Sequence, residues 1–157
     1  GEPVLDRRRI PVALAGARVV AHPLEWGAHT LYLTCVSMGN PHAVFFVPGL
    51  SGVPLAEWGP RLEAHPLFPQ RVNVHFAHVV RRNLIKMMTW ERGAGLTQAC
   101  GTGASAVCVA GVLNNLSDRS VTAELLGGAL RLQWDELTRH VFMTGPAVEV
   151  FTGVWPL

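Results

Sequence analysis

A chain of 157 residues, 49% hydrophobic and only 15% charged, carries enough apolar material for a buried core, which excludes intrinsic disorder. Area scaling for 17.0 kDa puts its folded surface at roughly 7,700 Å², the size of one domain. The net charge is only +2, and the basic runs Arg7-Arg8-Arg9 and Arg81-Arg82 are short and free of interleaved aromatics; they read as solvated faces, with no nucleic-acid partner.

The longest strongly apolar run, 104–113, is too short to span a bilayer and carries Gly111, so no membrane partner is expected. No basic stretch leading into an apolar one opens the sequence, so nothing marks it for export. Cys35, Cys100 and Cys108 lack the spacing of a disulfide scaffold or a zinc ribbon. Free thiols fit a reducing compartment, and a cytoplasmic location is expected.

In chain order, runs rich in Val, Leu, Tyr and Phe predict strands at 17–21, 30–36 and 43–47. A short helix follows at 55–64, broken or started late by Pro60. Longer strands at 72–80 and 84–90 join at Arg81-Arg82-Asn83. The polar, glycine-bearing loop 91–99 leads into the one strong helix, 101–114. Strands at 120–125 and 129–134 flank a Gly127-Gly128 hairpin signal, and strands at 139–144 and 148–154 complete the pattern.

The 101–114 helix is filled by Ala, Val, Cys, Ser and Gly, with no charge on any face. A helix apolar all round must be buried all round, and its small side chains let strands approach closely. The expected fold is α+β: a mixed, strongly curved β-sheet wrapped around a central buried helix, with residues 1–157 as a single domain.

The sharpest chemical feature is Ala99-Cys100-Gly101-Thr102-Gly103-Ala104, a thiol at the mouth of that helix. Unpaired amides and the positive end of the helix dipole favour an anion there, so Gly101 and Thr102 are candidate carboxylate donors. The same field is expected to lower the thiol's pKa and make a thiolate available. The plain alternative is a small buried apolar side chain. Three other readings of the segment fare worse. A phosphatase loop wants Arg where Ala106 stands, and a Walker loop wants a Lys that is absent. The dinucleotide match of Gly101, Gly103 and Ala106, with Glu124 beyond, is separated from Trp90 by ten residues, too far from its strand.

Two further polar clusters stand out. Ser37-Met38-Gly39-Asn40-Pro41-His42 offers an amide and a candidate general acid or base in His42, or simply a turn. Trp90-Glu91-Arg92-Gly93 ends a strand with an adjacent acid and base. Metal binding finds little support: His75 and His78 point to opposite faces of one strand. His22 and His65 precede prolines and read as loop residues, and His29 and His140 are isolated.

Taken together, VSMGNPH (36–42), RVN (71–73), TWERGAGLTQACGTGA (89–104) and MTGPA (143–147) resemble the diaminopimelate epimerase family, specifically its C-terminal half. The resemblance implies a cofactor-independent epimerase interconverting L,L- and meso-diaminopimelate in lysine and cell-wall synthesis, with no pyridoxal. One thiolate removes the α-proton while a second thiol delivers one to the opposite face. Carried over by motif, Cys100 is one of the two, and His42 and Glu91 tune the thiols. Asn40, Asn73, Glu91 and Arg92 hold the distal amino-acid end, and Gly101 and Thr102 bind the carboxylate at the reacting centre.

The second family cysteine sits in a CGNG-type motif that these residues lack. Cys108 lies about 12 Å further along the helix, and Cys35 matches a structural position. The expectation is therefore half a site: a chain inactive alone, partnered by the N-terminal half of the same enzyme. Gly1-Glu2-Pro3 would begin inside an interdomain motif, and residues 148–157 would belong partly with the absent half. A homodimer is left open. The competing readings are a Cys–His hydrolase or transferase using Cys100 and His42, and a non-catalytic binding module of the same fold.

Overall fold

Short apolar runs, buried on both faces at the centre of a sheet, build the fold, seen in a computed structural model that describes residues 1–156. The strands are β1 (His22–Trp26), β2 (His29–Ser37), β3 (Pro41–Phe46), β4 (Asn73–Arg81), β5 (Leu84–Glu91), β6 (Gly95–Leu96), β7 (Ser120–Leu125), β8 (Gly128–Trp134) and β9 (Val141–Thr144). Helix α1 (Leu55–Glu63) lies between β3 and β4, and α2 (Gly101–Leu113) between β6 and β7. They form one mixed sheet in the order β1-β2-β3-β4-β5-β7-β8-β9, with β6 paired to β5.

Two neighbouring pairs, β3–β4 and β5–β7, are parallel, and the rest are antiparallel. Parallel neighbours need a crossover, and each helix supplies one. The fold is thus α+β, with two crossovers set among hairpins.

Period two sorts the side chains into two cores. Phe45, Val74 and Phe76 join Leu55, Leu62 and Trp58 on the α1 side, where the Phe45 and Phe76 rings stack at 5.4 Å. Val44, Ala77, Ile85 and Met87 meet Ala104, Val107 and Cys108 on the α2 side. Every α2 residue from Gly103 to Gly111 is buried, as its uniformly apolar surface requires.

Helix α2 touches β2, β3, β4, β7, β8 and β9. In a flat sheet the strand steps from β2 to β9 would span about 29 Å. A helix of 13 residues is only about 20 Å long. The sheet therefore curls around it, without closing.

Several elements differ from expectation. Residues 17–21 are not a strand: Ala21 takes a positive φ of 48°, and Val19 contributes one carbonyl to Cys35. The edge strand is instead β1, where Pro23 is tolerated because an edge leaves half its backbone unpaired; His22 is consequently a strand residue. Helix α1 runs through Pro60, which sits on the exposed face, where water can take the freed Ala56 carbonyl.

Residues 145–156 carry no regular structure, so the strand expected at 148–154 is absent. Val148, Val150, Phe151, Val154 and Trp155 are exposed, while Leu157 lies outside the described residues. This tail helps raise the exposed surface to 8818 Å², above the roughly 7,700 Å² expected for the mass.

The α1–sheet contact depends on Gly59, because a Cβ there would come within 2.6 Å of the Trp90 ring. Gly59→Ala gains about 1 kcal/mol of helix propensity. Overpacking against a fixed indole should cost about 1–3 kcal/mol. The expected outcome is a net destabilisation, read as a lower urea midpoint at unchanged slope.

Candidate active site

Cys100 is the N-cap of α2, with extended backbone at φ −141° and ψ 103°, and its residue is only 5% exposed. The first amides of α2 have no intrahelical acceptors. Thr102 Oγ1 lies 3.6 Å from Cys100 Sγ, and the Gly103 N–H hydrogen-bonds the thiol as well.

The thiol's pKa is nevertheless raised, not lowered as the dipole argument expects. Burial is the largest cause and outweighs the Thr102 and Gly103 hydrogen bonds, while the negative charge of Glu91 pushes the same way. Burial also raises the pKa of Cys35, and it takes Cys108 to about 11. Cys108 directs its sulfur to the Arg119 carbonyl at 3.8 Å, away from Cys100's polar neighbours.

Strand register gathers the polar clusters. The parallel β3–β4 pair sets His42 beside Asn73, and the antiparallel β4–β5 pair sets His75 opposite Thr89. His42 is fully buried. Its Nε2 is 2.9 Å from Asn40 Oδ1 and its Nδ1 is 2.9 Å from His75 Nε2. His75 Nδ1 is 3.0 Å from Thr89 Oγ1. Asn40 Nδ2 in turn donates to Thr102 Oγ1 at 3.4 Å.

Burial holds both imidazoles neutral, His42 down at about 3 and His75 well below its ordinary value. Arg92's charge adds to the effect at His42, and the neighbouring ring adds to it at His75. His42 therefore reaches Cys100 through Asn40 and Thr102, with both ring nitrogens engaged.

The turn after β5 is held separately. Asn73 Nδ2 donates to the Pro41 carbonyl at 2.8 Å, and its Oδ1 accepts the Arg92 N–H at 3.0 Å. Arg92 is exposed, and its Nη1 donates to the Gln70 carbonyl at 3.0 Å. Glu91 is half-buried and faces the thiol. Gly101 packs against Met143, whose Cε would lie 3.1 Å from an added Cβ.

Sequence reasoning missed Glu63, a buried carboxylate on α1. It accepts from Trp90 Nε1 at 2.8 Å and from the Gly93 N–H at 3.1 Å, gripping both sides of Glu91-Arg92, and it pairs with Arg71 at 3.4 Å. Its only sequence signal is an acid next to Leu62. His75 and Thr89 were missed too, though they stand two residues from Asn73 and Glu91 on the same strand faces. Among the described residues no group of three or more His, Cys, Asp or Glu could hold a metal ion, and no helix is long and apolar enough to cross a membrane. A groove of about 810 Å³ between residues 2–9, 16–18, Trp134 and Arg139 contains none of the expected site residues.

The family model described as Diaminopimelate epimerase matches residues 34–150. The chain belongs to the diaminopimelate epimerase family. It is 52% identical over 157 residues to a diaminopimelate epimerase of Moorella thermoacetica, covering 100% of this chain and 56% of that protein. It is also 52% identical over 153 residues to one of Acetivibrio thermocellus, covering 98% and 55%. The chain thus spans about half the length of these curated relatives.

Among solved structures, a hydroxyproline epimerase from Agrobacterium vitis with bound trans-4-OH-L-proline superposes with a TM-score of 0.55 at 16% identity, over 74% of this chain and 41% of that one. That likeness is one of fold. The family match fits the motifs from which the resemblance was read, since all four lie within residues 34–150.

Because Glu91 raises the thiol's pKa, Glu91→Gln should lower it. Site-resolved alkylation of Cys100 across pH should give a midpoint above the ordinary thiol value of about 8.5, and this midpoint should fall in the variant. Cys35 and Cys108 should react only on unfolding.

Proposed function

We propose that this chain is the C-terminal half of a diaminopimelate epimerase, carrying one of the two thiols that exchange the α-proton and needing an N-terminal half for turnover. The observation that carries the reading is the position of Cys100 at the start of a buried helix. Polar side chains from three separate stretches, Asn40, Glu91 and Thr102, gather around it.

The chemistry follows from that position. A raised pKa keeps the proton on Cys100 at rest, which suits the thiol that donates while an opposing thiolate abstracts. The roles reverse in the other direction. Gly101 and Thr102 amides accept the α-carboxylate and stabilise the negative charge that grows as the proton leaves. Arg92 offers a guanidinium to a distal carboxylate and Glu91 an anion to a distal ammonium. Asn40 lines the same grip, and Asn73 enters it by fixing the Arg92 backbone. His42 orients Asn40 from beneath. No bound cofactor is invoked, and the exposed residues 148–156 are assigned to contact with the N-terminal half. A cytoplasmic location is consistent with three free cysteines.

The alternative Cys–His hydrolase loses support because His42 meets Asn40 and His75 rather than Cys100. A non-catalytic module would leave the buried polar connection to the thiol without a purpose.

The test joins this chain to the unmatched part of the Moorella relative and follows the incorporation of solvent deuterium at the α-carbon of L,L-diaminopimelate. The fused protein should exchange and form the meso product, the 157-residue chain alone should not, and Cys100→Ala should reduce exchange by about a thousand-fold. Equal exchange by the isolated chain, or full exchange by Cys100→Ala, would overturn the proposal.

A further inference from the structure

Five polar side chains lie in one file, from the buried Thr89, His75 and His42 on β5, β4 and β3 out to half-buried Asn40 and exposed Thr102 in the first turn of α2. Thr89 Oγ1 is 3.0 Å from His75 Nδ1, His75 Nε2 is 2.9 Å from His42 Nδ1, and His42 Nε2 is 2.9 Å from Asn40 Oδ1. Asn40 Nδ2 is 3.4 Å from Thr102 Oγ1, which is 3.6 Å from Cys100 Sγ. A neutral imidazole donates from one nitrogen and accepts at the other. One choice of tautomer therefore fixes the direction of every link.

The direction is decided at the far end. Thr89 is buried, and among the described residues its hydroxyl has no hydrogen-bond partner besides His75. If His75 donated to it, the Thr89 hydrogen would be buried without an acceptor. When Thr89 donates, only an oxygen lone pair goes unused, which is the smaller loss. His75 then carries its hydrogen on Nε2 and donates to His42, and His42 carries its own on Nε2 and donates to Asn40 Oδ1. The Asn40 amide is turned accordingly, its Nδ2 toward Thr102. That donation occupies the Thr102 oxygen and leaves the Thr102 hydrogen for sulfur.

We infer that Thr89, His75, His42, Asn40 and Thr102 form one directed hydrogen-bond chain whose last hydroxyl donates to Cys100 Sγ, and that Thr89 and His75 are positioning residues for that thiol. The catalytic meaning of the chain rests on the reading of Cys100 as a reacting thiol, whereas its direction does not. Reversal of the chain would turn the Asn40 amide over, draw the Thr102 hydrogen to Asn40 Oδ1 and strip a donor from the sulfur. His75 is also pinned against α2: a Cβ on Gly103 would fall on its ring, so the ring that sets the direction also seats the helix that carries the thiol.

The experiment uses the 157-residue chain. Imidazole nitrogen NMR should show both His42 and His75 as neutral Nε2–H tautomers at neutral pH. Either ring as Nδ1–H, or as a cation, overturns the inference with no variant needed. Thr102→Val removes the last hydroxyl of the chain, the one that meets Cys100 Sγ, at nearly constant volume, and Thr102→Ser restores it. The alkylation midpoint of Cys100 by iodoacetamide, resolved by mass spectrometry, should rise by about one pH unit in the Val variant, the size of one charge-assisted hydrogen bond. It should stay at the parent value in Ser.

Glu91, which faces the thiol, and Arg92, whose charge reaches His42, are unchanged in both variants, so neither produces the difference. An unshifted midpoint in a folded Val variant overturns the inference, and so does an equal shift in Ser. None of these readouts needs epimerase turnover. A fused protein without deuterium exchange would therefore sink the functional proposal and leave the hydrogen-bond chain standing, and the reverse also holds.

Discussion

The close seating of α2 on β4 is the constraint from which the site follows. Gly103 has no Cβ, and the imidazole of His75 occupies the space one would need. That contact brings the first turn of the helix down onto the strand and carries Cys100 to the end of the polar file. The same economy of side chains operates at Gly111 against Ser117 at the other end of the helix. A helix of larger residues would stand further off and leave the thiol apart from Asn40 and Thr102.

Seating a polar file in an apolar core has an electrostatic consequence. Both imidazoles stay neutral because burial disfavours their cations, so what matters about them is tautomer rather than charge. The thiol experiences the same low-dielectric surroundings and holds its proton more tightly than a free cysteine would. Local donors at Thr102 and Gly103 temper that effect and Glu91 reinforces it. Solvent-facing groups complete the site: Arg92 is exposed and Glu91 half-buried, and both are held by the anchor that Glu63 makes to Trp90 and Gly93.

Much of this was legible in the residues. The uncharged 101–114 segment announced a buried helix, and α2 is buried from Gly103 to Gly111. Runs rich in strand-forming apolar residues placed β2 through β5 and β7 through β9 within a few residues, and the glycines after Leu125 marked the β7–β8 hairpin. The errors have local causes. Val19 and its neighbours have strand composition, but the positive φ at Ala21 diverts the chain, and pairing begins one residue later at His22. The segment 148–154 has strand composition yet meets no edge among the described residues, and composition cannot supply a partner. Pro60 read as a break because composition does not reveal which side of a helix faces water.

Sequence alone determined the inventory: a thiol before two glycines, an Asn-Pro-His turn, an acid–base pair after a tryptophan, and a family likeness that the comparisons bear out. It did so because motif chemistry and burial pattern are properties of neighbouring residues. Only the tertiary structure decided that His75, Thr89 and Glu63 belong with that inventory, and that burial outweighs the Thr102 and Gly103 hydrogen bonds at Cys100. Those outcomes depend on the register between β3, β4 and β5 and on how deeply α2 sits, which are set by packing between segments far apart in the chain.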